Sequence, residues 1–117
     1  MNANSIKIAV ASKDGISINL HFGHATHFVI YQVDDSGCQQ LDSREVSNYC
    51  LGEHADADAM TQIMHTISDC QAIMVAKIGD GPTQKLKAIG IEATGDYAYQ
   101  AIEESLLDYA KLFLVRD

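Results

Sequence analysis

Three imidazoles fall within seven residues of this chain, in the run His21-Phe22-Gly23-His24-Ala25-Thr26-His27, its densest group of metal-binding side chains. Imidazole nitrogen is a good ligand for iron and other transition metals, and a neighbouring glycine lets the backbone approach a bulky guest. If His27 opens a strand, the alternation of side chains along extended backbone turns it away from the face that His24 uses. A three-histidine zinc site is therefore awkward. The plain role for a loop histidine is a surface group or a hydrogen-bonding partner of a backbone carbonyl, and His24 and His27 fit it. His21 is different, because it stands beside an anchoring aromatic, Phe22, and a flexible Gly23, which together hold a ring at an exposed rim.

Two further segments carry candidate chemistry. Ile78-Gly79-Asp80-Gly81-Pro82 leads into a predicted helix, whose free N–H groups and dipole favour an anion. Its plain reading is a turn with a helix start. It lacks the GxxxxGK[ST] pattern, so no nucleotide phosphate loop is indicated. Tyr49-Cys50-Leu51-Gly52-Glu53-His54 places a thiol and an imidazole close together before another helix, a pair that suits a soft metal. Nothing marks an oxyanion hole or a nucleophile held against a base, so catalysis is not expected.

The elements that must position these residues are legible from periodicity. Ile6 to Ala11 is a β-branched run ending at Ser12-Lys13-Asp14-Gly15, and His27 to Val33 is a second strand. Cys38 to Val46 follows across a turn at Asp34-Asp35-Ser36-Gly37 and makes the other arm of a hairpin. Met60, Ile63, Met64 and Ile67 lie at helical spacing, with Asp56 or Asp58 as cap. Gln71 to Ile78 is nearly all apolar, as a strand covered on both faces requires. A helix follows with Pro82 at its first position, Asp80 or Gly81 as cap, Leu86 and Ile89 as buried stripe, and Gly90 as terminator. Ile91 to Thr94 is a brief strand, and Ile102, Leu106, Tyr109, Ala110 and Phe113 mark a last helix. The order βββαβαβα predicts an α/β domain spanning 1–117. Its five-stranded mixed sheet is flanked by three helices, in a ribonuclease H-like arrangement. That topology invites a nuclease reading, but the first strand carries no acidic residue for metal-assisted hydrolysis.

Composition narrows the function classes. The chain has 117 residues, enough to bury one core without disulfides or a structural metal. Its 16 acidic against 8 basic residues give a net charge of −8, which repels nucleic acid unless the cations cluster, and in sequence they are dispersed. No apolar run approaches the ~20 residues of a membrane span. The polar stretch before Ile6 has no secretion signal, so a cytoplasmic location is expected. Cys38, Cys50 and Cys70 are widely spaced and odd in number, which argues for free thiols, with Cys38 and Cys70 as small buried hydrophobes.

In order along the chain, Ile8-Ala9-Val10-Ala11-Ser12, the His21-Phe22-Gly23 loop with Phe28 and Tyr31, Asp69-Cys70 before a strand, and Ile78-Gly79 with Pro82 resemble the dinitrogenase iron–molybdenum cofactor family, which includes NifX, NafY and the C-terminal domain of NifB. The resemblance covers nearly the whole chain. It implies a ribonuclease H-like fold and a non-enzymatic carrier of the iron–molybdenum cofactor or an iron–sulfur precursor, handed between cluster-assembly or nitrogenase proteins. The family's cofactor-binding histidine matches His21. Tyr49-Cys50 is closer to the NifB-type and stand-alone members than to NafY. These residues hold no radical-SAM domain, so the full NifB reaction is not expected of them.

The combined expectation is a cluster contacted by His21, Gly23, Cys50, Gly79 and Gly81, with His21, Cys50 and His24 as metal ligands. Its alternatives are an interaction module that binds a protein partner without a cluster, and a mononuclear metal binder using His21, His24 and His27.

Overall fold

The computed structural model describes residues 5–34, 37–46 and 57–114. In chain order these form β1 (Ile6–Val10), β2 (His27–Asp34), β3 (Gly37–Glu45), α1 (Ala57–Thr66), β4 (Ala72–Met74), α2 (Asp80–Ala88), β5 (Glu92–Thr94) and α3 (Ile102–Leu114). The sheet order is β3-β2-β1-β4-β5. β1 pairs antiparallel with β2, and β2 with β3, whereas β1/β4 and β4/β5 are parallel. The result is the expected α/β architecture, a five-stranded mixed sheet with three helices.

Strand alternation sorts the apolar residues onto two faces. Ile6, Ile8 and Val10 of β1 join Val29, Tyr31, Val33 and Met74 in a core completed by Ile102, Leu106 and Tyr109 of α3. Ala9 and Ala11 belong to the opposite core, with Phe28, Ile30 and Ile73, under Met60 and Ile63 of α1, Ile67 just past its end, and Leu86 from α2. Each fully buried Ile or Met contributes about 1.5–3 kcal/mol relative to exposure, so β1 and β4 are held from both sides. β3 lies at the edge and is mostly exposed.

Three local expectations at α2 are corrected. Gly79, not Asp80 or Gly81, occupies the cap position, and Pro82 stands third in the helix rather than first. The first N–H groups of a helix have no intrahelical acceptor, so proline there removes no bond. Ile89 is 48% exposed instead of buried, because it is the C-cap, where the chain is already leaving helical geometry. Gly90 ends the helix as expected, at φ +88°, a conformation glycine adopts without a Cβ clash. The apolar run of β4 continues beyond Met74 with new partners: the Val75 N–H donates to Thr94 and the Ala76 N–H to Leu20.

The chain leaves β1 toward β2 on one side and leaves β4 toward β5 on the other. A crevice opens beyond the carboxyl ends of parallel strands where successive connections diverge in this way, and open α/β sheets bind ligands there. The loops that flank it carry His21 and Gly79.

Candidate functional site

The loop after β1 is built around a buried anchor. Phe22 is 1% exposed and packs against Phe28, with ring centroids 6.3 Å apart. This fixes a single 3-10 turn over Phe22–His24, closed by the His24 N–H donating to the His21 carbonyl at 3.0 Å. The loop is stitched to the segment after β4: the Phe22 N–H donates to the Lys77 carbonyl at 2.8 Å, and His21 forms a parallel bridge with Lys77. Anchoring Phe22 inward leaves its neighbours at the surface. His21 is half-buried, Gly23 is half-buried and His24 is exposed. The His21 and His24 rings stack at 5.6 Å with 14° between their planes.

These two rings form a ridge between two clefts. One, of about 330 Å³, lies between His21, Gly23 and His24 on one wall and Lys77, Ile78, Gly79 and Pro82 on the other. The second, of about 590 Å³, is lined by His21 and His24 together with Lys13, Asn19, Leu20 and Tyr99. Neither cleft has a carboxylate among its lining residues, although the chain carries a net charge of −8. Lys13 and Lys77, far apart in sequence, each stand beside the histidines. The local field therefore favours an anion on a protein that otherwise repels one.

Gly79 needs separate explanation. Its φ of −79° suits any residue, and an added Cβ would meet nothing closer than Pro82 Cδ at 3.8 Å. Neither backbone nor packing demands glycine, so its effect is to leave the cleft wall bare at the helix start. No side chain caps α2 there, while Asp80 in the first turn partly offsets the helix dipole. Gly81 follows in that turn but does not line the cleft.

The structure thus brings together His21, Gly23, His24 and Gly79 from the expected set. Cys50, with Tyr49 to His54, lies outside the described residues. His27 starts β2 opposite Glu45, away from both cleft linings. Among the described residues, no three His, Cys, Asp or Glu side chains gather to hold a metal ion. The other two thiols are poor ligands. Cys70 is buried and burial pushes its thiol up to about 12, and burial likewise raises that of Cys38. Sequence reasoning missed Lys13, Lys77 and Tyr99. The lysine beside the Gly79 turn could have been noticed; nothing in the sequence pairs Tyr99 with His21.

Comparison with known proteins agrees with the early resemblance. The sequence profile of the family described as "Dinitrogenase iron-molybdenum cofactor" matches residues 4–112. The chain is 39% identical over 112 residues to "FeMo cofactor biosynthesis protein NifB" of Herbaspirillum seropedicae, covering 96% of this chain and 21% of the relative. It is 38% identical over 114 residues to the protein of the same name from Bradyrhizobium diazoefficiens, covering 97% and 23%. The chain thus spans about a fifth of the length of these relatives. In fold it is similar to the crystal structure of PH0822, with a TM-score of 0.56, 16% identity and coverage of 93% of this chain and 90% of that one. Among the described residues, no helix is long and apolar enough to cross a membrane.

Proposed function

The chain belongs to the dinitrogenase iron–molybdenum cofactor family, and from that premise we propose that it binds and carries an anionic metal–sulfur cluster at the His21 ridge, without making or breaking bonds itself. The cargo is the iron–molybdenum cofactor or an iron–sulfur precursor, and its partners are cluster-assembly or nitrogenase proteins of the cytoplasm. The observation that carries this reading is the cleft itself: two imidazoles, a lysine and a bare helix start meet without a carboxylate. A mononuclear ion needs several protein ligands at fixed geometry. A cluster brings its own sulfide and needs only one or two protein bonds, which is what His21, with His24 beside it, can give. Gly23 and Gly79 leave room for its bulk, and Lys77 and the α2 start balance its charge. Cys50 is a further candidate thiolate. The strand order and the placement of helices on both faces support reading the fold as ribonuclease H-like, with 1–117 as one domain.

The test is anaerobic titration of untagged protein with a synthetic cubane iron–sulfur cluster capped by exchangeable thiolates, followed by visible absorption. Native protein should take up one cluster, and His21→Ala should weaken uptake at least about tenfold, equivalent to ~1.4 kcal/mol. Equal uptake by both proteins would remove His21 from the site.

A second reading, docking of a protein partner without a cluster, draws on the exposed edge strand β3, which offers unpaired backbone groups. Capture of an assembly protein by the metal-free chain, with no cluster uptake, would favour it.

A further inference from the structure

Tyr99 is the sole non-glycine residue with positive φ among the described residues, at +65°, and its side chain is largely solvent-exposed. A left-handed backbone at a bulky residue is strained, and such strain persists where surrounding contacts over-determine it. Those contacts are present. The Tyr99 N–H donates to the Ile18 carbonyl at 2.7 Å, and the Ile18 N–H donates to Gln100 at 3.0 Å. The Ile102 N–H donates to Ile16, and Ser17 bridges Ala101. The strap around Tyr99 is therefore stitched to the loop that ends in His21. An exposed phenol gains little from burial, so packing gives no reason to hold tyrosine in a conformation that glycine would adopt freely. What the conformation achieves is to place the Tyr99 hydroxyl 3.5 Å from His21 Nε2, on the cleft that also holds Lys13 and Asn19. The contact is long for a hydrogen bond.

We propose that Tyr99 is a positioning residue for His21: its hydroxyl oxygen accepts a hydrogen bond from Nε2–H, aims the ring, and leaves Nδ1 as the nitrogen offered to the cluster. Ligating histidines generally donate their second N–H to such an outer partner, and losing that partner weakens metal affinity about 10–100-fold. This inference rests on the cluster-binding reading, so its test must separate the two.

Native protein, Tyr99→Phe, Tyr99→Gly, His21→Ala and Tyr97→Phe are compared by anaerobic titration with the cubane cluster, by urea unfolding, and by electron paramagnetic resonance of the histidine nitrogen coupling in the loaded, reduced protein. Tyr97 is the control, a phenol on the same strap whose hydroxyl donates to Asp108 instead. Tyr99→Phe should weaken uptake about tenfold and change the nitrogen coupling, at an unchanged urea midpoint. Tyr99→Gly should weaken uptake equally while raising the midpoint, because glycine removes the strain. Tyr97→Phe should leave uptake as it was. If His21→Ala abolishes uptake while both Tyr99 variants bind like native protein with the same coupling, the positioning role is overturned and the cluster site stands. If Tyr99→Gly lowers the midpoint, tyrosine is there for packing and the proposal also fails. If His21→Ala binds normally, the cluster site itself is refuted, and the positioning role with it.

Discussion

The two ends of the parallel strands β1 and β4 are built on opposite principles. At the amino end Lys7 and Asp69 are engaged in ion pairs. Arg44 of β3 grips Asp69 through two bonds, of 2.7 and 3.1 Å, and donates to the Thr66 carbonyl at the end of α1, while Lys7 approaches Asp69 at 3.1 Å. The Lys7 N–H also donates to the Gln71 side chain. These bonds tie an edge strand, a helix end and two central strands together. The Arg44 guanidinium holds the Asp69 carboxyl well below the usual carboxylate range, and Asp69 in turn raises Arg44. At the carboxyl end, by contrast, the Asp14 and Asn19 side chains and backbone bonds hold the loops, and Lys13, Lys77 and His21 line clefts that have no carboxylate among their lining residues. Charge saturated by neighbours serves the fold, and charge left facing a cleft is available to a guest.

That contrast can be broken by substitution. The largest effect belongs to the anchor beneath the carboxyl end. Phe22→Ala should cost about 3–5 kcal/mol of stability, measured by urea unfolding, and should also release the His21 loop, so cluster uptake falls with it. Next comes the amino end. Arg44→Ala should cost ~1 kcal/mol, for an exposed bidentate pair and a helix-end carbonyl, while leaving cluster uptake unchanged. A loss of uptake in that variant would erase the division between the two ends.

The same division has a pH signature. Because the folded-state pKa of Asp69 is depressed, its contribution is present above the unfolded aspartate value of about 3.9 and is lost as pH falls through the folded value. Asp69→Asn should therefore be less stable than native protein at pH 7, and the gap should narrow below about pH 4. A gap that stayed constant down to pH 2 would mean that the Arg44 pairing does not set it.

A smaller effect is expected at Lys77. Lys77→Gln should weaken uptake of the anionic cubane only a few-fold at low salt, and the difference should disappear near 1 M salt, where screening is within about 3 Å. The smallest expectation is no reaction at all. Cys70, buried and with its thiol pushed up to about 12, should resist alkylation at pH 8 until the protein is unfolded, as judged by mass spectrometry of the labelled peptide.

Much of this architecture was legible because apolar spacing reports burial directly. The Met60, Ile63 and Ile67 stripe, the β-branched run of β1 and the hairpin of β2 and β3 all lie where their periods place them. The errors fall at α2, where Ile89 and Pro82 sit near helix ends and the backbone change overrides the period, at β4, which spans Ala72–Met74 rather than Gln71 to Ile78, and at Cys38, which the edge strand leaves half-buried. The site was half legible. His21 and Gly79 drew notice from their own neighbours in sequence, but their meeting depends on two loops diverging from adjacent strands. Lys13, Lys77 and Tyr99 come to the same ridge by topology alone, and so does the pairing of Arg44 with Asp69. None of these leaves a local pattern to read.

The most direct test of the central claim is spectroscopic. Protein labelled with nitrogen-15 at histidine, loaded anaerobically with the cubane cluster and reduced, should show by pulsed electron paramagnetic resonance a directly bound histidine nitrogen that vanishes in His21→Ala. A loaded native protein with no histidine coupling, or a coupling that survives in His21→Ala, would contradict it.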